Sequence, residues 1–231
     1  MSSSMDHLVL QGYWINEMRK HNAYWFHDGN PARPYALLTG GKISNFYADC
    51  TPVVSRPSLC SKAVRDIIEL APIELGTTRH RLIGFCGSAY GAITLAYELT
   101  RNVVLPQAWY TAKGSERGEM VLDRFNFDLE HDLVALAEDV ITEFTTSRGT
   151  IRAIEKKIAE SGIGGILPYV FCIVNRSGQR EIDDYQIIAL VNEDRAKTWV
   201  PGHNPFTPDG KELVEPVRPK QNWSLLTRAY S

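Results

Sequence analysis

Five consecutive apolar residues, Leu133 to Ala137, run directly into two adjacent carboxylates, Glu138 and Asp139. A turn rich in hydroxyls follows, with Thr142 and then Thr145-Thr146-Ser147-Arg148-Gly149-Thr150, before a helical pattern takes over. A short unbroken apolar run suits a strand buried on both faces, as in a parallel sheet covered by helices. The expectation is a strand over 133–137 ending at the acid pair, a polar loop, and a helix over 147–161. A helix start presents unpaired amide hydrogens and the positive end of its dipole, which together favour a phosphate. The acid pair can hold the two hydroxyls of a ribose or a hydrated cation. Adjacent acids at a strand end are also common as solvated turn residues, so the rest of the chain must decide between the two.

The surrounding chain repeats the alternation. Strands are expected at 81–85, 105–110, within 164–175 and at 185–191, with helices at 92–100 and 147–161 between them. A small-residue turn, Gly87-Ser88-Ala89-Tyr90-Gly91, follows the first of these strands. Ahead of them, residues 5–21 read as an amphipathic helix, and Asp28–Pro34 as a turn-forming connector. Tyr35–Leu38 and Asn45–Ala48 read as short strands around the glycine turn Thr39-Gly40-Gly41-Lys42. A helix is expected to start at Pro57 and run to Leu70. The fold class is therefore α/β, a mainly parallel sheet flanked by helices, whose sites lie beyond the carboxyl ends of the strands. Residues 195–231 carry five prolines together with Trp199 and Trp223. They read as an irregular tail packed on the surface, too proline-rich for regular structure and too apolar for disorder.

At 231 residues, with a formal net charge of −2 and 44% hydrophobic residues, the chain suits one domain with additions. Neither a polyanion-binding surface nor a membrane span is indicated, so nucleic acid and membrane are not expected partners. Met1-Ser-Ser-Ser-Met-Asp lacks the pattern of a signal peptide, which favours a cytoplasmic location. Cys50, Cys60, Cys86 and Cys172 are scattered without CxxC spacing and read as buried, reduced thiols.

Four segments, in order, resemble the type I phosphoribosyltransferases, and within that superfamily most resemble orotate phosphoribosyltransferase. They are Leu38–Asp49 with its glycine turn and aromatic pair, Gly87–Ala96, Leu133–Thr150, and Ile173-Val-Asn-Arg-Ser-Gly178. The likeness spans residues 36–191. It implies one domain over 1–231, with an N-terminal helix, hood and connector at 1–35, a core at 36–194 and the tail at 195–231. It also implies a reaction in which a nucleobase, orotate foremost, displaces pyrophosphate from 5-phosphoribosyl 1-pyrophosphate (PRPP), with Mg²⁺ carried by PRPP rather than by direct protein ligands. Carried over by position, Glu138 and Asp139 would hold the ribose hydroxyls, one of them also moving a proton. Thr142, Thr145, Thr146, Ser147, Gly149 and Thr150 would cradle the 5′-phosphate. Ser88, Ala89 and Tyr90 would approach the diphosphate. Phe46, Tyr47, Lys42 and Arg176 would receive the base, Arg176 through a bidentate contact to its acidic group. Lys113 and Arg117 would serve the leaving group from a mobile loop over 111–131, which in the family reaches across a homodimer.

The chain departs from that pattern in places. The phosphate loop reads about four residues longer than the family's and lacks its paired glycines, with Arg148 in place of one and expected to offset the nearby Glu143. The loop 111–131 is short of basic residues. Thr39 stands where the family usually carries a lysine, and Gly91 where lysine is frequent. Three readings follow: an orotate phosphoribosyltransferase, an enzyme of the same fold acting on another base, and a non-catalytic regulator that binds PRPP or a nucleotide.

Overall fold

The computed structural model describes residues 4–72, 82–88, 90–103, 109–115, 119–122, 133–162 and 164–230. The first element, helix α1 (Ser4–Lys20), buries Trp14 and Met18, one turn apart. It is followed by β1 (Tyr24–Phe26), β2 (Ala36–Leu37), β3 (Ile43–Ser44) and β4 (Phe46–Ala48). These strands form two small sheets beside the main one. β1 pairs with β4, and β2 and β3 form the hairpin around the glycine turn. Helices α2 (Thr51–Val54) and α3 (Pro57–Glu69) come next. α3 opens on Pro57, whose missing N–H costs nothing in a first turn, and buries Cys60, Ala63, Val64 and Ile67 on one face.

The main sheet is built from β5 (Leu82–Ser88), β6 (Tyr110–Gly114), β7 (Met120–Val121), β8 (Leu133–Ile141), β9 (Gly165–Asn175), β10 (Glu181–Ile182) and β11 (Tyr185–Asn192). Its order is β10-β11-β9-β8-β5-β6-β7, with five parallel strands in the middle and an antiparallel strand at each edge. Helices α4 (Ile93–Asn102) and α5 (Thr145–Ser161) connect its strands. α1, α3 and α4 cover one face and α5 the other, giving two apolar cores. Pro168 interrupts β9, and the β8–β9 register slips beside it, between Val134 and Leu136, because proline cannot donate to the ladder. The tail adds β12 (Thr198–Trp199), paired with β3, and the short helix α6 (Trp223–Thr227). All four cysteines are free and buried.

Several expected boundaries move. The strand expected at 81–85 continues to Ser88, so Gly87 and Ser88 lie in β5 rather than in a turn. A Cβ on Gly87 would collide with the backbone carbonyl of Ala92, and this is how the chain can fold back so tightly into α4. The strand expected to stop at Ala137 runs through both acids to Ile141. Helix α5 starts at Thr145, two residues early, which leaves a connection of only Thr142, Glu143 and Phe144. The expected four-residue extension is thus absorbed into the helix. In place of glycine, Phe144 takes the left-handed conformation (φ 61°) with its ring buried. The connection 111–131 does not begin as a loop: Lys113 and Gly114 pair with Val121 and Met120 in a β6–β7 hairpin. Most of the strand expected at 105–110 falls outside the described residues, and the tail, expected to be irregular, carries a strand and two short helical turns.

Candidate active site

Because β8 is extended through the acid pair, its two carboxylates leave on opposite faces. Glu138 points toward α5 and is closed in. Its Oε1 accepts hydrogen bonds from Ser88 Oγ (2.7 Å) and Ser147 Oγ (3.0 Å), and Thr150 Oγ1 lies 3.3 Å from Ser88 Oγ. Burial pushes its carboxyl up to about 7, against the pull of the two hydroxyl bonds. Asp139 points the other way and lines a cleft of about 570 Å³. Burial raises its carboxyl as well, and neighbouring Asp49 adds to the rise. A Cβ on Gly91 would strike the Asp139 carboxylate, so the residue ahead of α4 must be small for that group to sit there.

The cleft gathers residues from widely separated segments: Thr39 and Gly40 of the glycine turn, Tyr47, Asp49, Asp139, Thr142 and Arg176. Arg176 follows the end of β9. Its Nη2 donates to Ser44 Oγ (2.8 Å) and Thr198 Oγ1 (2.7 Å), which face each other across the β3–β12 pair. Its guanidinium lies over the ring of Phe46, with Cζ 5.1 Å from the centroid. Burial lowers its pKa to about 10, still well above neutrality. Its partners among the described residues are thus neutral oxygens and a ring, a cation held in place and open to an anion. Of the aromatic pair, Phe46 is fully buried against Tyr24 and Phe26, while Tyr47 faces the cleft.

Not every residue singled out in the sequence reaches this cleft. Lys42 is ion-paired with Glu143, and Arg148, expected to face Glu143 at the phosphate, pairs instead with Asp183. Tyr90 is 91% exposed and, like Lys113, is not part of the lining. Thr145, Thr146 and Gly149 line a second groove of about 870 Å³ with Met120, Arg148 and Arg152. That groove includes Glu119–Leu122, between two stretches outside the described residues, and it holds neither carboxylate of the acid pair. Ala89 and Arg117 lie outside the described residues.

The sequence leaves the role of the tail open, and the structure places part of it at the cleft. Arg218, Pro219, Lys220 and Gln221 form one wall of the cleft, and Lys220 Nζ sits 2.8 Å from Asp49 Oδ2. Burial would raise Asp49, but the hydrogen bonds from Lys220 and Thr51 outweigh it and hold its carboxyl low. No spacing within the tail signals this contact. The only hint was a mixture of prolines, tryptophans and basic residues.

The sheet order, the covering helices and a site at the carboxyl ends of the strands define the type I phosphoribosyltransferase fold. The crystal structure of orotate phosphoribosyltransferase from Mycobacterium tuberculosis superposes with a TM-score of 0.53 over 79% of this chain and 96% of that one, at 14% identity. No family model matches the sequence. Curated relatives carry the assignment further. Orotate phosphoribosyltransferase of Caldicellulosiruptor saccharolyticus is 30% identical over 181 residues, 78% of this chain and 86% of the relative. That of Caldicellulosiruptor bescii is 29% identical over the same shares. The chain belongs to the orotate phosphoribosyltransferase family.

Proposed function

We propose that the protein transfers the 5-phosphoribosyl group from PRPP to orotate, giving orotidine 5′-phosphate and pyrophosphate. One observation carries this reading: Tyr47, Asp139, Thr142 and Arg176, from three separate segments, line a single cleft. In the reaction a ring nitrogen of the base bonds to ribose C1, and the bond from C1 to the diphosphate oxygen breaks with its electron pair. Positive charge develops on the sugar and negative charge on the leaving group, so holding and neutralising both ends is most of the catalysis. Asp139 is the group suited to accept hydrogen bonds from the ribose hydroxyls. Glu138, on the other face, fits a positioning role, tying β8 to Ser88 of β5 and Ser147 of α5. Thr142 and the uncapped start of α5 suit the 5′-phosphate. Arg176 suits the orotate carboxylate, with Tyr47 against the ring.

Mg²⁺ would enter this cleft bound to PRPP, with Asp49 and Asp139 as the carboxylates that line it. When bound, the ion would neutralise the departing diphosphate. No helix among the described residues is long and apolar enough to cross a membrane. A cytoplasmic enzyme folded as one domain and acting as a homodimer agrees with the family.

The test is incubation of the purified protein with Mg²⁺-PRPP and a panel of free bases, following pyrophosphate release. Release with orotate alone is expected. Release with a different base, or none with any, would sink the reading.

A further inference from the structure

The tail is fastened to the fold on both sides of its basic residues. Val217 bridges to Ala36 through Leu37 N to Val217 O (2.9 Å) and Val217 N to Tyr35 O (3.0 Å). Pro219 is buried and starts a helical turn. Leu226 is fully buried, and its carbonyl accepts the Trp25 indole N–H at 2.9 Å. Trp223 packs on Tyr47, with ring centroids 6.3 Å apart. Arg218 and Lys220 are therefore carried on an anchored strap, yet both side chains are exposed at the cleft.

Charge points to what they hold. The cleft is lined by two acids, Asp49 and Asp139, and three cations, Arg176, Arg218 and Lys220. Lys220 is engaged with Asp49, while Arg218 has no acidic partner among the described residues. The glycine turn, which also lines the cleft, contributes Thr39, a neutral residue, and the lysine of that turn, Lys42, is committed to Glu143. Of the three cations that line the cleft, two thus come from the tail. Arg176 already offers a half-buried, oriented cation for a planar carboxylate. The tail cations sit on long exposed stems and suit the more diffuse charge of phosphoryl oxygens.

We propose that Arg218 and Lys220 are substrate-binding residues that hold the phosphoryl groups of PRPP, so that the C-terminal strap completes the site in cis. This rests on the function proposed above and adds a part of the chain to it. The test compares R218A/K220A with the charge-conserving R218K/K220R by calorimetric titration of Mg²⁺-PRPP at several salt concentrations. Orotate KM at saturating PRPP and thermal stability are measured alongside. The alanine pair is expected to bind PRPP about tenfold or more weakly, with a shallower salt dependence, as loss of charge-assisted contacts requires. Orotate KM should hold, because Pro219 and Leu226 still anchor the strap; stability should fall slightly with loss of the Lys220–Asp49 pair, with or without PRPP, and the conservative pair should recover most of the affinity. If the wild type binds PRPP and the alanine pair binds it equally well, the strap has no such role, although the proposed function stands. If only the orotate KM moves, the cations serve the base and the proposal is wrong. A wild type that fails to bind PRPP overturns the proposed function and this inference together.

Discussion

Replacing Glu138 with glutamine isolates what burial does to one half of the acid pair. The side chain is enclosed, accepts two hydroxyl hydrogen bonds on one oxygen, and has its carboxyl pushed from 4.5 to about 7, chiefly by burial. A rise of that size makes the ionised form about 3 kcal/mol worse in the folded state than in the unfolded chain, at about 1.4 kcal/mol per tenfold change in proton affinity. The sign follows from which state holds the proton more tightly. Between pH 4.5 and 7 the folded protein keeps the proton and the unfolded chain has lost it, so stability falls as pH rises through this window and levels off above it. Glutamine keeps an oxygen for Ser88 and Ser147 but cannot ionise. Relative to wild type, E138Q should therefore gain about 3 kcal/mol between pH 4.5 and pH 8. Urea denaturation of both proteins across that range measures the gap directly. A gap that stays constant with pH would show that Glu138 is ionised in the fold as readily as in water, and the enclosed geometry would be wrong. The same variant should still bind PRPP, because Asp139 is the carboxylate that opens to the cleft; D139N is the one expected to lose that affinity.

Phe144 holds a left-handed conformation that glycine would adopt without cost, which for other residues is unfavourable by about 1–2 kcal/mol. Its buried ring contributes more, so F144G should be destabilised by about 2–3 kcal/mol in thermal or chemical denaturation; a stabilised variant would mean the ring holds nothing. G87A and G91A should separate cleanly, although both add one methyl. G87A drives a Cβ into the backbone of Ala92 and should lose about 1–3 kcal/mol of stability. G91A instead displaces the Asp139 carboxylate and should raise the KM for PRPP with a smaller loss of stability. R176K keeps the charge but not the fork, and should weaken orotate by about 1.5–3 kcal/mol, roughly ten- to hundredfold in KM, with PRPP affinity retained. Equal orotate affinity in R176K would remove the carboxylate from Arg176.

The parallel core was legible because its strands are long, apolar and punctuated, and α3 because Pro57 and four apolar residues at helical spacing mark it. Strands of two residues such as β3 and β12 fall below any periodicity and form because they pair with a neighbour, whereas β2 and β4 lie inside the strands expected at Tyr35–Leu38 and Asn45–Ala48. The end of β8 was misplaced for a physical reason. A carboxylate is normally a strand terminator on a buried face, and Glu138 is tolerated there because Ser88 and Ser147 supply hydroxyls from far along the chain. The phosphate connection was misjudged for a related one. A bulky residue in the left-handed region is rare, so Phe144 gave no sign that the turn could be as tight as one made with glycine. Residue types at the site were readable. Which of them share a cleft was not, because this depends on the face each leaves.

That distinction governs the charge of the site. Counted along the sequence, Lys42, Arg148, Arg176, Arg218 and Lys220 are equivalent cations near a ligand that carries several negative charges. In the fold Lys42 is spent on Glu143 and Arg148 on Asp183, both at exposed positions where an ion pair contributes little to stability. Neither side chain lines the cleft. Arg176 is held by neutral oxygens and keeps its full charge available. Arg218 and Lys220 enter from a segment with no resemblance to the rest of the site. A cleft that looked short of basic groups when its loops were read in order is therefore supplied from the end of the chain. Affinity for a polyphosphate should follow the cations that line the cleft, Arg176, Arg218 and Lys220, rather than the number in the neighbourhood.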